Sequence, residues 1–154
     1  MKNLKQQVEN LQKKWADYII SIGAAYFQQQ DFNSLTRKFV DELYAFDYCN
    51  VLFKPTIANK VKFRDKKEEF ISYFLGNNNI CKEDKGFALR PWKSIKFKNF
   101  GTIENREIIL VMGNYVFKDF KNITVDAEFT FGLLKINNKL LKICLQHSSL
   151  SKKK

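Results

Sequence analysis

The sequence predicts an α+β domain in which N-terminal helices pack against one curved antiparallel sheet. Apolar residues recur every three or four positions in the first half of the chain and every second position after Trp92, so helices precede strands. Aromatic residues are abundant, with 15 Phe, 6 Tyr and 2 Trp, which suits a strongly curved core. The length of 154 residues suits a single domain over 1–154, in which 150–154 are predicted to form a flexible basic tail.

Three helices are predicted in the first half of the chain. The first has apolar residues at steps of three and four, at Leu4, Val8, Leu11, Trp15, Ile19, Ile22 and Tyr26. The second has similar spacing, at Leu35, Phe39, Leu43 and Phe46. Asp31 or Asn33 is placed to cap this second helix. The third spans Asp65 to Leu75, with Asp65 as its N-cap and Gly76 as its stop signal.

One short strand precedes the third helix, and longer strands follow it. The short strand covers Val51 to Phe53, and Pro55 ends it because proline cannot donate to a β-ladder. The later strands begin at Trp92 and continue over Glu107–Phe117, Thr124–Ile136 and Leu140–Ser149. Asn137-Asn138 is a tight hairpin signal of the kind that tolerates positive φ. This order of elements is typical of a cystatin-like or nuclear-transport-factor-2-like cone, an architecture that hosts many functions.

The last strand is predicted to line the pocket of this cone. Side chains alternate between the two faces of a strand. Alternation therefore places one set of side chains on the pocket face, namely Leu141, Ile143, Leu145, His147 and Ser149. The opposite face would carry Leu140, Lys142, Cys144, Gln146 and Ser148. His147, the only histidine of the chain, and Ser149 are the resulting candidate site residues.

The charge of the chain indicates a lysine-rich solvated surface. The formal net charge is +11, and a field of that sign attracts anions, nucleic acid or acidic membranes. The lysines are spread along the chain, however, and arginine, which binds phosphate better, occurs only at Arg37, Arg64, Arg90 and Arg106. We therefore expect no nucleic-acid partner.

The cysteines and the N-terminus favour a cytoplasmic protein with no membrane association. The chain has three cysteines, Cys49, Cys81 and Cys144, which are far apart in the sequence. An odd number of widely spaced cysteines indicates neither a disulfide framework nor a zinc ribbon. The first residues show no apolar segment of a signal peptide. No apolar run approaches the ~20 residues of a membrane span.

Short motifs along nearly the whole chain, from about Trp15 to Ser149, point to a family. They are Val51-Leu52-Phe53-Lys54-Pro55-Thr56, Glu83-Asp84-Lys85-Gly86-Phe87-Ala88-Leu89, Pro91-Trp92, Met112-Gly113-Asn114-Tyr115-Val116-Phe117, Phe129-Thr130-Phe131-Gly132 and Gln146-His147-Ser148-Ser149. In this order they resemble the iota class of carbonic anhydrases, whose domains are related to the association domain of calcium/calmodulin-dependent kinase II. The terminal motif of that family usually reads His-His-Ser-Ser, and Gln146 stands at its first position.

The resemblance implies reversible hydration of carbon dioxide to bicarbonate, without a metal in bacterial members and with no other cofactor. The residues that match the pocket of the family are Thr56, His147 and Ser149, together with a tyrosine of the third helix, here Tyr73. Tyr115 is a further candidate for substrate binding. By alternation Gln146 would face away from His147, which would leave the pocket unaffected by the departure.

The chemistry of these residues is compatible with that reaction. Phenylalanine rings offer an apolar seat for CO₂, and the hydroxyls of Thr56, Tyr73 and Ser149 can hold a water or bicarbonate because each both donates and accepts. His147 is the candidate proton acceptor. A zinc site from Cys144, His147 and the other cysteines is not expected, because alternation places Cys144 and His147 on opposite faces.

Two other functions remain open from the sequence. The chain could be a non-catalytic association module that dimerises through the outer face of its sheet, where Glu128, Thr130, Lys142 and Gln146 are expected. It could also be an isomerase or carrier for another small molecule. A ketosteroid-isomerase-like mechanism needs a carboxylate in the pocket, and none falls clearly on the inner face of the last strands. The expected partners are CO₂ or bicarbonate and a second copy of the chain.

Overall fold

The computed structural model describes residues 3–153 and confirms the predicted α+β class and element order. The helices are α1 (Leu4–Phe27), α2 (Phe32–Leu43) and α3 (Lys67–Leu75). The strands are β1 (Leu52–Lys54), β2 (Trp92–Glu104), β3 (Ile108–Asp119), β4 (Thr124–Lys135) and β5 (Leu141–Leu150). A single 3₁₀ turn, Phe87–Leu89, precedes β2.

The strands form one five-stranded sheet in the order β1-β5-β4-β3-β2. Strands β2 to β5 make the predicted antiparallel meander. Strand β1 lies at the edge and pairs with β5 in parallel, with Lys54 opposite His147. A parallel pair needs a long crossover connection, and α3 together with the meander supplies it here. The segment between α2 and α3 thereby comes to lie beside the last strand.

The helices begin where side chains satisfy free backbone N–H groups. The side chain of Asn3 accepts a hydrogen bond from the N–H of Gln6 at the start of α1. Asp31 accepts from the N–H of Ser34, so of the two predicted caps for α2 it is Asp31 that serves. The prediction for α3 was wrong, because its N-cap is Lys66 rather than Asp65. The Glu69 carboxylate reaches back to the N–H of Lys66, as in a capping box.

The core is an aromatic cluster centred on Trp15 of α1. The rings of Phe39, Phe97, Tyr115, Phe117 and Phe131 lie with centroids 5.8–6.3 Å from Trp15, and most meet it edge-on or tilted. The three helices cover only the inner face of the sheet. The outer face carries exposed apolar side chains, including Leu110 and Met112 of β3.

Two predictions about the end of the chain need correction. The connection between β4 and β5 is wider than the expected tight hairpin, since the N–H of Ile136 bonds to the carbonyl of Leu140. Neither Asn137 nor Asn138 has a positive φ. The tail also begins later than predicted, because Leu150 belongs to β5 and the N–H of Ser151 donates to the carbonyl of Asp126. Lys154 lies outside the described residues.

Candidate functional site

A β-bulge in β5 decides which of its residues face the core. Gly132 of β4 pairs with Leu145, whereas the next residue, Leu133, pairs with Ile143, so Cys144 is an extra residue in β5. An extra residue exchanges the two faces of the strand beyond it. Ile143 therefore faces the core before the bulge, and Gln146 and Ser148 face the core after it.

The predicted positions of His147 and Ser149 were therefore wrong. His147 is exposed on the outer face of the sheet, opposite Thr130 of β4. Ser149 lies on the same outer face, opposite Glu128. Strict alternation fails here because it allows no bulge. Gln146 and Ser148, which were expected outside, are the buried residues, with exposed fractions of 2% and 0%.

A cluster of buried hydroxyl groups forms behind the inner face of β5. The hydroxyl oxygens of Thr56 and Ser148 lie 2.6 Å apart, and the Tyr115 hydroxyl donates to Ser148 Oγ at 2.5 Å. The Tyr73 hydroxyl accepts from the N–H of Ile57 at 3.4 Å and also interacts with the Thr56 side chain. The structure thus brings together three of the predicted residues, Thr56, Tyr73 and Tyr115, and adds Ser148 in place of Ser149.

Four separate elements place these hydroxyls. Thr56 follows β1 directly after Pro55, Tyr73 lies on α3, Tyr115 lies in the middle of β3, and Ser148 is near the end of β5. The Lys54 ammonium donates to the carbonyl of Ser148 at 2.9 Å, which ties β1 to β5 beside the cluster. Groups on rigid helices and strands hold their geometry better than groups on loops, so Tyr73, Tyr115 and Ser148 are preorganised to receive Thr56.

Gln146 connects this cluster to the centre of the core. The indole N–H of Trp15 donates to the Tyr44 hydroxyl at 3.1 Å, and Tyr44 donates to Gln146 Oε1 at 2.5 Å. The Gln146 side chain also interacts with Tyr115. The departure from the family motif at Gln146 therefore lies inside the candidate site and not, as expected, on the opposite face.

Burial keeps the tyrosines of the site neutral. It is the largest cause that raises the pKa of Tyr44, of Tyr73 and of Tyr115 above the ordinary value. For Tyr115, hydrogen bonds with Ser148, Thr56 and Gln146 oppose this rise without cancelling it. At neutral pH these phenols therefore act as hydrogen-bond donors and acceptors rather than as phenolate bases.

A buried ion pair fixes the segment that carries Thr56. The Arg64 guanidinium binds both carboxylate oxygens of Asp84, at 2.7 and 2.8 Å, and both side chains are fully buried. Ser72 of α3 also donates to Asp84. The neighbouring Glu83 carboxylate accepts from the backbone N–H groups of 59–61 at 2.6–2.9 Å, and these bonds lower its pKa.

A cleft of about 440 Å³ borders the cluster at Tyr73. Tyr73 is both a member of the cluster and a wall residue of this cleft. Aromatic and aliphatic side chains form much of the remaining wall, among them Ile57, Phe87 and Trp92. The Arg90 guanidinium lies 4.5 Å from the ring centroid of Trp92 at the same opening. The cleft thus offers an apolar approach to a polar interior.

Residues 3–153 contain neither a metal-binding cluster of side chains nor a membrane-spanning helix. Within 3–153, no group of three or more His, Cys, Asp or Glu side chains is arranged to hold a metal ion. In the same part of the chain, no helix is both long and apolar enough to cross a membrane.

Comparisons with known proteins agree on one family. The family model for metal-independent carbonic anhydrases matches residues 6–150. A metal-independent carbonic anhydrase of the cyanobacterium Nostoc sp. (strain PCC 7120) is 30% identical over 149 residues, which cover 95% of this chain and 73% of the relative.

Solved structures extend the agreement to the fold. A cyanobacterial iota-carbonic anhydrase, solved in complex with bicarbonate, superposes with a TM-score of 0.92 at 28% identity and covers 99% of this chain and 94% of its own. A putative calcium/calmodulin-dependent protein kinase II association domain from Xanthomonas campestris gives a TM-score of 0.65 at 19% identity over 99% of this chain and 91% of its own, which is a likeness of fold alone. The predicted family resemblance is confirmed, and the chain belongs to the family of metal-independent carbonic anhydrases.

Proposed function

We propose that this chain catalyses the reversible hydration of carbon dioxide to bicarbonate without a metal ion, at the hydroxyl cluster of Thr56, Tyr73, Tyr115 and Ser148. The observation that carries the proposal is the convergence of these four hydroxyls, from four separate elements, behind an apolar cleft. Membership of the family and the bicarbonate bound to the cyanobacterial iota-carbonic anhydrase support the substrate.

The cluster can supply what hydration requires. Aromatic rings around Tyr115, including Phe97 and Phe129, offer the apolar seat for CO₂. A water held against Ser148 forms the new carbon–oxygen bond, and its proton passes to Ser148 as bicarbonate forms. Ser148 passes its own proton to Thr56, Thr56 to Tyr73, and Tyr73 to water in the cleft. Orientation of the reactants and stabilisation of the forming anion supply the rate enhancement.

This mechanism differs from the predicted one in its proton acceptor. His147 is exposed on the outer face of β5, so it is not placed to accept a proton from a water inside the cluster. Turnover is expected to be slower than the ~10⁶ s⁻¹ of the zinc enzyme, because no metal lowers the pKa of the attacking water.

Stopped-flow CO₂ hydration with a pH indicator tests the proposal. We expect the purified chain to accelerate hydration, and the rate to be the same before and after exhaustive chelation. A rate that disappears on chelation and returns with added metal would contradict the metal-free reaction. If neither sample is active, the association or carrier functions become the better interpretation.

We also propose that two copies associate through the outer face of the sheet. This face is left uncovered by the helices of the chain, and Leu110 and Met112 are 41% and 50% exposed on it. Of the residues expected there, Glu128 and Thr130 lie outside, whereas Gln146 is buried and the Lys142 ammonium donates to the carbonyl of Asp41. The kinase-association fold of the Xanthomonas protein favours a second copy as the occupant.

Light scattering after size exclusion should report a dimer mass for the unmodified chain. Met112→Lys introduces a charge on the outer face of the sheet and should shift the mass to that of a monomer. Asn138→Lys adds the same charge in the exposed β4–β5 connection and should leave the dimer intact. A monomer mass for the unmodified chain would overturn this proposal.

A cytoplasmic location remains our proposal as well. All three cysteines, Cys49, Cys81 and Cys144, are free thiols, which suits a reducing compartment. Cell fractionation with an antibody to the chain tests this, and recovery in a secreted or membrane fraction would contradict it.

A further inference from the structure

Trp15 determines which groups donate and which accept in the hydrogen bonds around Gln146. An indole N–H can only donate, so the Tyr44 hydroxyl accepts from Trp15 and must give its own single proton to another atom. The acceptor is Gln146 Oε1, at 2.5 Å. Both side chains are almost fully buried, so no water competes for this proton.

This arrangement settles the orientation of the Gln146 amide. If the amide were turned over, its NH₂ group would face Tyr44, and the Tyr44 proton would be left without an acceptor. A buried donor without a partner costs about 1–3 kcal/mol. The amide nitrogen therefore points away from Tyr44, and the Tyr115 hydroxyl, which interacts with the Gln146 side chain, is the group placed to accept from it.

The direction then continues through the hydroxyl cluster. Since Tyr115 accepts from Gln146, its one proton goes to Ser148 Oγ, as the geometry shows. Ser148 is left to donate to Thr56, and Thr56 to Tyr73. Tyr73 also accepts from the N–H of Ile57, a second group that can only donate. The proton of Tyr73 is thus free to point into the cleft that Tyr73 lines.

We infer that Gln146 is a positioning residue that sets the direction of the hydrogen bonds from Tyr115 through Ser148 and Thr56 to Tyr73, so that protons released in hydration leave through Tyr73. This inference rests on the proposed function for its catalytic consequence, but the direction itself follows from the contacts of Trp15, Tyr44 and Gln146. An amide suits this position because its oxygen accepts a hydrogen bond and its NH₂ group donates one, and neither group titrates at ordinary pH.

The groups that face the network do not change charge near neutral pH. Tyr44 after α2, Tyr73 of α3 and Tyr115 of β3 are neutral phenols, because burial raises the pKa of each. Strand β4 contributes Phe129 and Phe131 opposite Ser148 and Gln146, and α1 contributes Trp15. Two charged groups act on the network: the Lys54 ammonium donates to the Ser148 carbonyl, and Asp84, which is paired with Arg64, acts on Tyr73.

A pH profile of kcat for Gln146→His tests this direction. A neutral imidazole has one acceptor and one donor, as the amide has, but a protonated imidazole has two donors and cannot accept from Tyr44. We expect kcat of Gln146→His to fall about tenfold per pH unit below the pKa of this imidazole, which burial lowers from its ordinary value of about 6.5. The neutral form is competent, so activity is present above this pKa and lost below it. The unmodified chain should show no such acid limb.

Two further variants separate positioning from a loss of packing. Gln146→Met keeps the length of the side chain and removes both polar atoms, and kcat should fall on the order of 10²-fold at every pH because the cluster is no longer oriented. The double variant Gln146→His/His147→Gln keeps one imidazole in the chain and moves it from the outer to the inner face, and its pH profile of kcat should show the acid limb. The pH profile of His147→Gln alone should show no acid limb.

A readout that needs no activity distinguishes this inference from the proposed function. The chain has two tryptophans, so its spectrum contains two indole N–H resonances, and Trp15→Phe assigns that of Trp15. In Gln146→His this resonance should shift with the titration of the imidazole, and in the unmodified chain it should stay constant. A titrating resonance in a chain without hydration activity would overturn the proposed function and keep the directed network. A constant resonance, or an imidazole variant without an acid limb, would overturn the network.

Discussion

Replacement of Ser148 by alanine is expected to lower kcat/KM for CO₂ hydration by about 10²–10³-fold, the loss typical when one preorganised hydroxyl or amide donor is removed from an active site. Ser148 Oγ contacts both Thr56 and Tyr115, so this change breaks the cluster at its centre. The serine is completely buried among other side chains, and the loss of one oxygen atom leaves the fold in place. Stopped-flow hydration, with circular dichroism to verify folding, measures the effect.

The adjacent residues provide matched controls for Ser148→Ala. Ser149→Ala removes the same atom on the outer face of the same strand, and His147→Ala removes the only histidine from that face. Both variants should keep activity close to that of the unmodified chain. If Ser149→Ala and His147→Ala were inactive while Ser148→Ala was active, the site would lie on the outer face and the proposed cluster would be abandoned.

Removal of Asp84 is expected to lower the free energy of unfolding by about 3–5 kcal/mol, because it leaves the buried Arg64 guanidinium without a counter-ion. Arg64 bonds to both carboxylate oxygens, and the two side chains have no exposed surface. Urea unfolding of Asp84→Ala measures this loss. Since Arg64 ends the segment that follows Thr56, hydration activity should fall in the folded fraction as well.

An exposed ion pair of the same type serves as the control for Asp84→Ala. Arg37 and Glu68 form an ion pair at 3.0 Å, but more than half of each side chain is exposed. Exposed pairs contribute at most about 1 kcal/mol, so Glu68→Ala should have a small effect on unfolding. Equal effects of the two substitutions would show that burial does not strengthen the dependence of Arg64 on Asp84.

Local signals were sufficient to predict most of the fold. The three-and-four spacing from Val8 to Ile22 describes a helix face that is buried in the structure, and Asp31 caps α2 as its chemistry indicates. The N-cap of α3 was predicted at Asp65 because aspartate is a favoured capping residue. The structure instead begins the helix after Lys66, whose N–H donates to the side chain of Glu69 within the helix. Local sequence does not show which strands pair in parallel, so the contact of β1 with β5 was not predicted.

Three of the four hydroxyl residues of the site were predicted from the sequence, but the residue that β5 contributes was not. Thr56, Tyr73 and Tyr115 were identified from the resemblance and meet in the structure. The error in β5 came from one residue, Cys144, whose presence as a bulge leaves no direct mark in an alternating pattern. Gly132 was the available signal, since a glycine inside a strand often faces a bulge. A Cβ at Gly132 would lie only 3.0 Å from the Cβ of Leu145.

The buried ion pair and the Gln146 network could not be predicted for a related reason. Charged and amide side chains are normally assigned to the surface, and only a partner far along the chain makes their burial favourable. Asp84 lies 20 residues from Arg64, and Gln146 lies 102 residues from Tyr44. Such pairs become visible only when the fold has brought their elements together.

The bulge at Cys144 also determines how relatives should be aligned with this chain. After the bulge, the face on which a β5 residue lies depends on how many residues are inserted in the strand before that residue, and not on the type of any residue. Deletion of Cys144 alone would turn Gln146 and Ser148 outward and bring His147 and Ser149 inward without changing any other side chain. Alignment of the terminal motif must therefore be anchored on the positions of Gln146 and Ser148, because a gap misplaced by one residue would transfer active-site assignments to the wrong face of the sheet.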